Sequence, residues 1–236
     1  MKIAILGYGR MGKTIERIAI ERGHEIVYKT SAPIDVTELK KAEVAIDFSI
    51  PTAAFNNITT CFKENIPVIC GTTGWLEKYD EAVSICKSNN AAFIYGSNFS
   101  LGVNLFFELN NKLAKMMSKF KEYNVEVEEI HHTKKLDKPS GTAITLTKGI
   151  LENTTKTDWK LIENEEKVNP EVIPVVAKRE DEVPGTHTIK YSSEIDEIEI
   201  KHTAHSREGF ALGAVIASEW IKNKNGVFTM KDVLDL

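Results

Sequence analysis

The segment KIAILGYGRMG, residues 2–12, decides the fold of this chain. Its apolar start, Lys2–Leu6, is typical of a buried strand, and helical periodicity begins at Met11. Between them lies the pattern G-x-G-x-x-G, whose glycines permit a tight turn and let the backbone approach a pyrophosphate. Because a strand precedes the motif and a helix follows it, the segment predicts the first βαβ unit of a dinucleotide-binding domain.

The first hundred residues continue this alternation of short apolar runs with helical patterns. Strands are predicted over 2–6, 25–28, 44–48, 67–70 and 92–95. Helices are predicted over 11–22, 52–63 and 76–89. Strands that alternate with helices favour an α/β fold, here a Rossmann-like, doubly wound parallel sheet.

The pattern changes near Asn98, where a second domain is expected to begin. A predicted helix is followed by strands in which charged residues alternate with Val and Ile, which is typical of a sheet with one solvated face. This predicts an α+β domain with a mixed, mostly antiparallel sheet. Its helices are predicted over 103–120 and 142–151, its strands over 124–130, 187–191 and 195–203, and loops over 152–169.

A last predicted helix, 212–222, resumes the apolar character of the first domain. We therefore assign residues 1–102 and 208–236 to the dinucleotide-binding domain and residues 103–207 to the second domain.

Composition excludes several classes of function. The chain has 236 residues, 42% of them hydrophobic, and its net charge of −4 gives no reason to expect a nucleic-acid surface. No apolar run is long enough to cross a bilayer, and the N-terminus lacks a signal-peptide pattern. The cysteines Cys61, Cys70 and Cys86 show no paired spacing, which indicates reduced thiols. We expect a cytoplasmic protein with no nucleic-acid or membrane partner.

Polar turns follow three further strands of the first domain. Ser49 follows the third strand, Gly71–Thr73 the fourth and Asn98–Ser100 the fifth. Ligands of open α/β folds bind outside the carboxyl ends of strands, so we expect these turns to bind the dinucleotide together with the glycine motif. The predicted cofactor-binding residues are Gly7, Tyr8, Gly9, Arg10, Met11, Gly12, Lys29, Ser49, Gly71, Thr72, Thr73, Asn98, Phe99 and Ser100.

The end of the second strand bears on the choice of coenzyme. A site for NAD usually places an acidic residue there, about 20 residues after the motif. Here the sequence reads Val27-Tyr28-Lys29-Thr30-Ser31, without a carboxylate. Lys29 is therefore a candidate ligand of a 2′-phosphate, with help from Arg10, and we predict NADPH as the cofactor, with NADH possible. The alternative is that Lys29 is an ordinary solvated lysine.

The segment EEIHHTKKLDKPSGT, residues 128–142, carries the second set of chemical groups. Imidazole and ammonium groups transfer protons and bind carboxylates, and the turn Ser140–Thr142 offers backbone N–H groups to an anion. Beside a nicotinamide domain, this segment predicts a pocket for a small acid that receives a hydride and a proton. In a regular strand His131 and His132 point to opposite faces, which disfavours one shared metal ion. Since cysteines and metal-binding spacings are absent from this domain, we predict no metal site.

These residues also carry a family resemblance. The chain closely resembles the 4-hydroxy-tetrahydrodipicolinate reductase (dihydrodipicolinate reductase) family of lysine and diaminopimelate biosynthesis. The resemblance spans the whole chain, and its most specific part is Glu-x-His-His-x-x-Lys-x-Asp-x-Pro-Ser-Gly-Thr-Ala, matched by Glu129–Ala143. The motifs at residues 7–12, 71–74 and 98–104, with Ser206-Arg207 and the segment 210–214, also match.

The resemblance implies an oxidoreductase in which His131 and Lys135 are catalytic, Lys135 being favoured as the proton donor. It implies that His132, Ser140, Gly141 and Thr142 bind a small dicarboxylate substrate. It further implies loss of water from the 4-hydroxy ring, hydride transfer from NAD(P)H to ring C4, and a homotetramer assembled through the second domain. Residues 103–207 are thus expected to serve substrate binding and oligomerisation.

Two other functions are weighed against this one. A regulatory protein that senses NAD(P)H without chemistry would need a partner-binding surface, and the sequence offers no basic helix-turn-helix. A different small dehydrogenase, such as an aspartate dehydrogenase, leaves the segment from His131 to Thr142 unexplained.

Overall fold

The computed structural model describes residues 1–163, 168–206 and 208–236, and the chain forms two compact units. One unit comprises Met1–Asn104 and Glu208–Leu236, and the other comprises Leu105–Arg207. Arg207, which belongs to a family motif quoted above, lies outside the described residues, as do residues 164–167 of the predicted loop. Among the described residues, no helix has both the length and the apolar character needed to cross a membrane.

The first unit begins with strands and helices in alternation. Its strands are β1 (Lys2–Leu6), β2 (Glu25–Thr30), β3 (Val44–Asp47), β4 (Val68–Cys70) and β5 (Ala92–Tyr95). Its helices are α1 (Arg10–Glu21), α2 (Val36–Leu39), α3 (Pro51–Lys63) and α4 (Tyr79–Ser88). A single 3₁₀ turn, Leu76–Lys78, precedes α4, and the long helix α5 (Leu101–Met117) follows β5.

The second unit and the returning segment follow in order. The second unit contains β6 (Asn124–His131), α6 (Gly141–Asn153), β7 (Asp158–Ile162), β8 (Val172–Arg179), β9 (Gly185–Ser192) and β10 (Glu197–Ala204). The chain then adds three elements to the first unit: α7 (Glu208–Ile221), β11 (Gly226–Phe228) and α8 (Met230–Leu234).

The sheet of the first unit has six parallel strands in the order β11-β5-β4-β3-β1-β2. Alternate residues of β1 enter different cores, because successive side chains of a strand point to opposite faces. Ile3 and Ile5 pack with apolar residues of α1 and α7, whereas Ala4 and Leu6 pack with those of α3 and α4. Helices thus cover both faces, and the predicted Rossmann-like, doubly wound fold is confirmed.

The sheet of the second unit has five strands in the order β10-β9-β6-β8-β7. β9 is antiparallel to both β10 and β6, whereas β8 is parallel to both β6 and β7, so the sheet is mixed as predicted. Helix α6 connects β6 to β7, and β8 lies between these two strands. Buried residues of β6, β8 and β9 pack against apolar residues of α5 and α6, which cover one face of the sheet.

The parallel half of this sheet is not anticipated from the sequence. Loops are predicted over 152–169, and this prediction is wrong for β7, whose residues Asp158–Ile162 pair with β8. Trp159 and Leu161 of this edge strand pack against the core of the second unit, but the apolar pattern covers only five residues within a polar segment and is too short to predict a strand. β8 also lacks a predicted strand, although its burial alternates along the whole length of Val172–Arg179.

Two glycines of the opening motif act through close packing. Gly7 has a φ of +95°, and a methyl group there would lie 2.1 Å from the carbonyl oxygen of Phe48. A methyl group at Gly12 would lie 2.3 Å from the carbonyl oxygen of Gly7. Glycine at these positions therefore lets the turn after β1 approach both the turn after β3 and the start of α1.

The helix α7 offers a matched pair of glycines for a test of stability. A methyl group at buried Gly213 would lie 1.7 Å from the carbonyl oxygen of Phe99, whereas one at Gly209 would lie 3.3 Å from the side-chain hydroxyl oxygen of Ser100. We expect Gly213→Ala to lower the free energy of unfolding by about 3 kcal/mol or more, since the backbone must move. Gly209→Ala should change it by less than about 1 kcal/mol. Urea denaturation checks this, and equal midpoints for the two variants would contradict it.

Candidate active site

The start of α1 presents backbone to an open cleft. Gly9 is the N-cap residue and provides no side-chain hydrogen bond to the first turn. A methyl group at Gly9 would meet nothing within 4 Å, in contrast to Gly7 and Gly12. The first N–H groups of a helix lack intrahelical partners and attract anions. The space in front of Gly9 therefore fits the pyrophosphate of a dinucleotide.

A cleft of about 700 Å³ lies beside this turn, within the size range of small-molecule sites. It is bounded by the glycine motif, by the segment after β2, and by the end of β3 with the first turns of α3. Its lining is largely apolar with scattered hydroxyl and amide groups: Gly7, Gly9, Thr30, Ser31, Ala32, Pro33, Ile34, Val36, Phe48, Ser49, Ile50, Thr52, Ala53, Asn56, Asn57 and Thr60.

A buried carboxylate joins two of the turns at this edge of the sheet. Asp47, at the end of β3, is fully buried and accepts hydrogen bonds from the Thr72 hydroxyl at 2.6 Å and from the Asn57 amide at 2.8 Å. The Thr72 hydroxyl oxygen in turn accepts the Ser49 N–H at 2.8 Å. Burial raises the pKa of Asp47, and the hydrogen bonds from Thr72 and Asn57 oppose that rise. Asp47 therefore fixes the turns after β3 and β4 relative to each other.

The predicted cofactor-binding residues of these turns differ in exposure. Gly7, Gly9 and Ser49 line the cleft, and Arg10 and Thr73 are exposed. Thr72, Phe99 and Ser100 are buried, and Phe99 packs its ring 5.9 Å from that of Phe48. The buried group shapes the wall of the site. The half-buried residues are Tyr8, Met11, Gly71 and Asn98.

Lys29 has partners within the protein. Its ammonium lies 2.7 Å from a carboxylate oxygen of Glu16, 3.2 Å from the Tyr8 hydroxyl and 4.6 Å from the centre of the Tyr8 ring. The Tyr8 hydroxyl also donates to Glu16. Hydrogen bonds from Lys29 and Tyr8 lower the pKa of Glu16, and the bond to Glu16 raises the pKa of Lys29. The positive charge at the end of β2 is thus compensated by a neighbouring carboxylate.

The two adjacent histidines of the second unit have different surroundings. His131, the last residue of β6, is buried on the face that carries Val125, Val127 and Glu129. His132 follows the end of the strand and is half-buried. Among the described residues, the Nδ1 atoms of both rings are buried and have no hydrogen-bond partner. The two imidazoles differ in burial, but β6 ends at His131, so the alternation of a regular strand does not extend to His132.

Glu129 is the centre of the buried polar cluster around His131. It is fully buried, and both of its carboxylate oxygens accept the Ser140 N–H, each at 3.0 Å. The guanidinium of Arg179 donates to Oε1 at 3.3 Å, and the imidazoles of His131 and His187 lie 3.4 and 3.7 Å from Oε2. Burial opposes the ionisation of Glu129, but hydrogen bonds from His187 and Ser140 outweigh it and lower the pKa of Glu129 to about 2.

His131 is electrically neutral in this cluster. Burial lowers the pKa of His131 to about 4, against the opposing attraction of the Glu129 carboxylate. The positive charges of Lys135 and Arg179 also lower the pKa of His131. At neutral pH its imidazole therefore carries no charge.

Lys135 lies in the loop between β6 and α6. Its ammonium is 2.7 Å from the Asp137 carboxylate, and its side chain is partly exposed. The loop is fastened at several points, because the Thr133 hydroxyl donates to Asp181 at 2.7 Å and Lys138 lies 3.7 Å from Glu163. The loop thus holds an accessible ammonium near the end of β6.

The three residues of the predicted substrate-binding turn, at the start of α6, differ in burial and in hydrogen bonding. Ser140 is buried, and its hydroxyl accepts the Ala143 N–H at 3.2 Å and lies 3.2 Å from His187 Nε2. Gly141 is exposed, a methyl group there would meet nothing within 4 Å, and Thr142 is half-buried. The hydrogen-bonding groups of Ser140 are thus used within the protein, whereas Gly141, at the N-terminus of α6, faces open space.

Glu129, His131 and His187 place possible metal-ligand atoms within 4.8 Å of one another. The guanidinium of Arg179 already contacts the same carboxylate, so a metal ion here would meet a positive charge. The absence of a metal remains a prediction for this site.

Several residues that contact Glu129, Lys29 or Asp47 are not identified from the sequence. Arg179 and His187 come from β8 and β9, in segments without a motif, and only the pairing of these strands with β6 brings them to Glu129. Glu16 and Asn57 are ordinary helix residues by sequence. The sequence signal for such partners is Glu129, because an acidic residue on the same strand face as Val125 and Val127 is expected to be buried and to need hydrogen-bond donors.

Comparisons with known proteins identify the family to which this chain is similar. The family model described as dihydrodipicolinate reductase, N-terminus, matches residues 1–99, and that described as dihydrodipicolinate reductase, C-terminus, matches residues 102–234. The chain is similar to a 4-hydroxy-tetrahydrodipicolinate reductase from Christiangramia forsetii, with 61% identity over 99% of this chain and 98% of the relative. Another from Thermosipho africanus shows 36% identity over the same shares.

A solved structure supports the fold independently. It is the dipicolinate-bound dihydrodipicolinate reductase from Paenisporosarcina sp. TG-14, which covers 97% of both chains with a TM-score of 0.79 at 20% identity. The two family models together span nearly the whole sequence, so the resemblance inferred from the motifs is confirmed. The chain belongs to the dihydrodipicolinate reductase family.

Proposed function

We propose that this protein is an NAD(P)H-dependent 4-hydroxy-tetrahydrodipicolinate reductase of lysine and diaminopimelate biosynthesis. The observation that carries the proposal is the meeting of His131, the Lys135 loop and the N-terminus of α6 at the carboxyl end of β6. The net reaction converts 4-hydroxy-tetrahydrodipicolinate, a reduced coenzyme and a proton into tetrahydrodipicolinate, water and the oxidised coenzyme. Residues 1–102 and 208–236 would bind the dinucleotide, and residues 103–207 the substrate.

The first unit fits a dinucleotide. The uncapped first turn at Gly9 would hold the pyrophosphate, and the cleft beside Ser31 and Ser49 would hold the remainder of the coenzyme. Asp47 keeps the neighbouring turns in place. When bound, the reduced coenzyme supplies the hydride that the substrate receives at ring C4.

The second unit fits a dicarboxylate. His132 and the backbone N–H groups of Gly141 and Thr142 would hold the carboxylates, since both N–H groups lie in the first turn of α6 and a helix N-terminus stabilises an anion. Ser140 would serve as their support, because its own N–H and hydroxyl are engaged with Glu129, Ala143 and His187.

We assign the proton to Lys135. After water has left the ring and hydride has arrived at C4, the ring needs one proton. The partly exposed ammonium of Lys135 carries one, whereas His131, with a pKa of about 4, is neutral at working pH. His131 then acts by binding or orienting the substrate as a neutral imidazole.

The proposed oligomeric state and cellular location rest on fewer observations. A homotetramer built through the second sheet is supported by the edge strand β10, which exposes Ile198, and by Ile195 at the tip of its hairpin, which is 91% exposed. A cytoplasmic location is supported by the three cysteines, all free and buried.

One assay tests the proposed function. The product of the synthase that condenses pyruvate with aspartate semialdehyde is supplied with NADPH or NADH, and oxidation of the coenzyme is followed by absorbance. We expect oxidation that depends on both enzyme and substrate. No oxidation with either coenzyme would overturn the proposal.

Lys135→Ala tests the proton donor. We expect kcat to fall about 10²-fold or more with unchanged coenzyme binding, because a general acid is removed. Lys134→Ala is the matched control, since it removes a neighbouring ammonium of the same loop, and its kcat should stay near that of the wild type. Unchanged turnover in Lys135→Ala would remove Lys135 from the mechanism.

The pH dependence of kcat tests the role of His131. A donor with a pKa of about 4 would lose its proton as the pH rises, so kcat would fall about tenfold per pH unit above that value. We expect no such fall between about pH 5 and about pH 7, where the imidazole stays neutral throughout. A tenfold decline per unit that disappears in His131→Gln would show instead that His131 gives the proton.

Glu16→Gln tests the coenzyme preference. We propose that NADPH and NADH are both used, and that pairing of Lys29 with Glu16 keeps the preference for NADPH small. Removing the carboxylate should free the ammonium for a 2′-phosphate and raise the ratio of kcat/KM for NADPH over NADH by roughly fivefold. Glu21→Gln, which breaks the exposed pair with Arg17 on the same helix, is the control and should leave the ratio unchanged. A ratio that falls in Glu16→Gln would contradict this account.

A further inference from the structure

Arg179 links the buried carboxylate of Glu129 to the loop that carries Lys135. Two of its guanidinium nitrogens donate to Glu129 Oε1 at 3.3 Å. The same group donates through Nε to the Lys135 carbonyl oxygen at 3.3 Å and through Nη2 to that of Asp137 at 2.6 Å. The planar guanidinium of Arg179 therefore links Glu129 of β6 to the carbonyl groups of Lys135 and Asp137, the two neighbours of Leu136.

The anchor of this link is rigid. Glu129 is fully buried in the central strand of the sheet, and its other hydrogen bonds run to the Ser140 N–H at the start of α6. Arg179 is held by its place at the end of β8, where it pairs in register with His131. The loop between β6 and α6 is thus tied to the same carboxylate at its end, through Ser140, and at its middle, through Arg179.

The side chain of Lys135 has no comparable restraint of its own. Its ammonium contacts Asp137, an exposed residue of the same loop, so that pair moves with the loop. The Lys135 backbone has two hydrogen bonds: its N–H donates to the His132 carbonyl oxygen at 3.0 Å, and its carbonyl oxygen accepts from Arg179. Of these two, the bond from Arg179 links the loop to Glu129 inside the sheet. A lysine at position 179 would keep the charge beside Glu129 but could not reach both carbonyl oxygens with a fixed fork of donors.

We propose that Arg179, fixed by Glu129, is the positioning residue that sets the place of Lys135 above the end of β6. This inference rests on the proposed function and adds a role for two residues outside the substrate-contacting set. Reaction geometry is sensitive to displacements of about 1 Å, which cost about 10²-fold in rate. Arg179 and Glu129 act through the loop and do not touch the substrate.

The test is the variant Arg179→Lys, with Lys178→Met as its matched control. Lys178 is the preceding residue of β8, and its ammonium pairs with Glu128 on the opposite side of the same two strands. We expect Arg179→Lys to lower kcat about tenfold to a hundredfold with little change in coenzyme binding, and Lys178→Met to keep wild-type kcat.

Two further readouts separate positioning from general stability. In Arg179→Ala, added methylguanidinium should restore part of kcat, because it can occupy the space between Glu129 and the two carbonyl oxygens. The double variant Glu129→Gln/Arg179→Lys should lose about as much kcat as Arg179→Lys alone, since residues that act as a unit are not additive. Thermal denaturation of each variant shows whether the folded state persists.

Wild-type kcat in folded Arg179→Lys would overturn the inference, as would losses from the two single variants that multiply in the double variant. If Glu129→Gln fails to fold, Arg179→Lys and the methylguanidinium experiment decide by themselves. An inactive wild type would instead defeat the proposed function, so the two failures are distinguishable.

Discussion

A carboxylate buried in a sheet must find hydrogen-bond donors, and at Glu129 this requirement organises the second unit. Desolvation of an unpaired carboxylate would cost several kcal/mol. Ser140 and Arg179 meet that requirement from the start of α6 and the end of β8. Meeting it brings together the loop that holds Lys135, the strand that holds His131 and the helix that begins at Gly141. The arrangement of the reactive groups is thus a by-product of satisfying one buried charge.

The first unit also contains a buried carboxylate with hydrogen-bond donors around it. Asp47 is also fully buried at the end of a parallel strand, and it is satisfied by a hydroxyl and an amide in place of a cation. The pKa values of the two carboxylates are therefore shifted in opposite directions. The pKa of Asp47 is raised by burial, whereas that of Glu129 is lowered to about 2 by its donors. The cleft of the first unit is therefore organised by a carboxylate with neutral partners, and the polar cluster around His131 by a carboxylate that is ionised.

The sequence was informative where chemistry is local. The glycines at 7, 9 and 12 predict the turn between β1 and α1, and the turn Ser140–Thr142 predicts the start of α6. It was uninformative where strands meet. β7 is a five-residue edge strand within a polar segment, and Arg179 becomes a partner of Glu129 only through the pairing of β8 with β6. Lys29 shows a third limit, because Glu16 approaches it from a different element and no sequence spacing reveals that contact.

Helix α6 connects β6 to β7, and β8 lies between these two strands. This connection has a consequence for redesign of the loop that precedes the helix. The loop of residues 132–139 leaves the sheet at a strand that is hydrogen-bonded on both sides and re-enters structure at a capped helix, so both of its ends are fixed by other parts of the unit. The anchors involve only backbone atoms of this segment: the N–H of Ser140 that reaches Glu129, and the carbonyl oxygens of Lys135 and Asp137 that face Arg179. A redesigned loop would have to keep these three backbone positions, whereas side chains such as the exposed Leu136 do not take part in them.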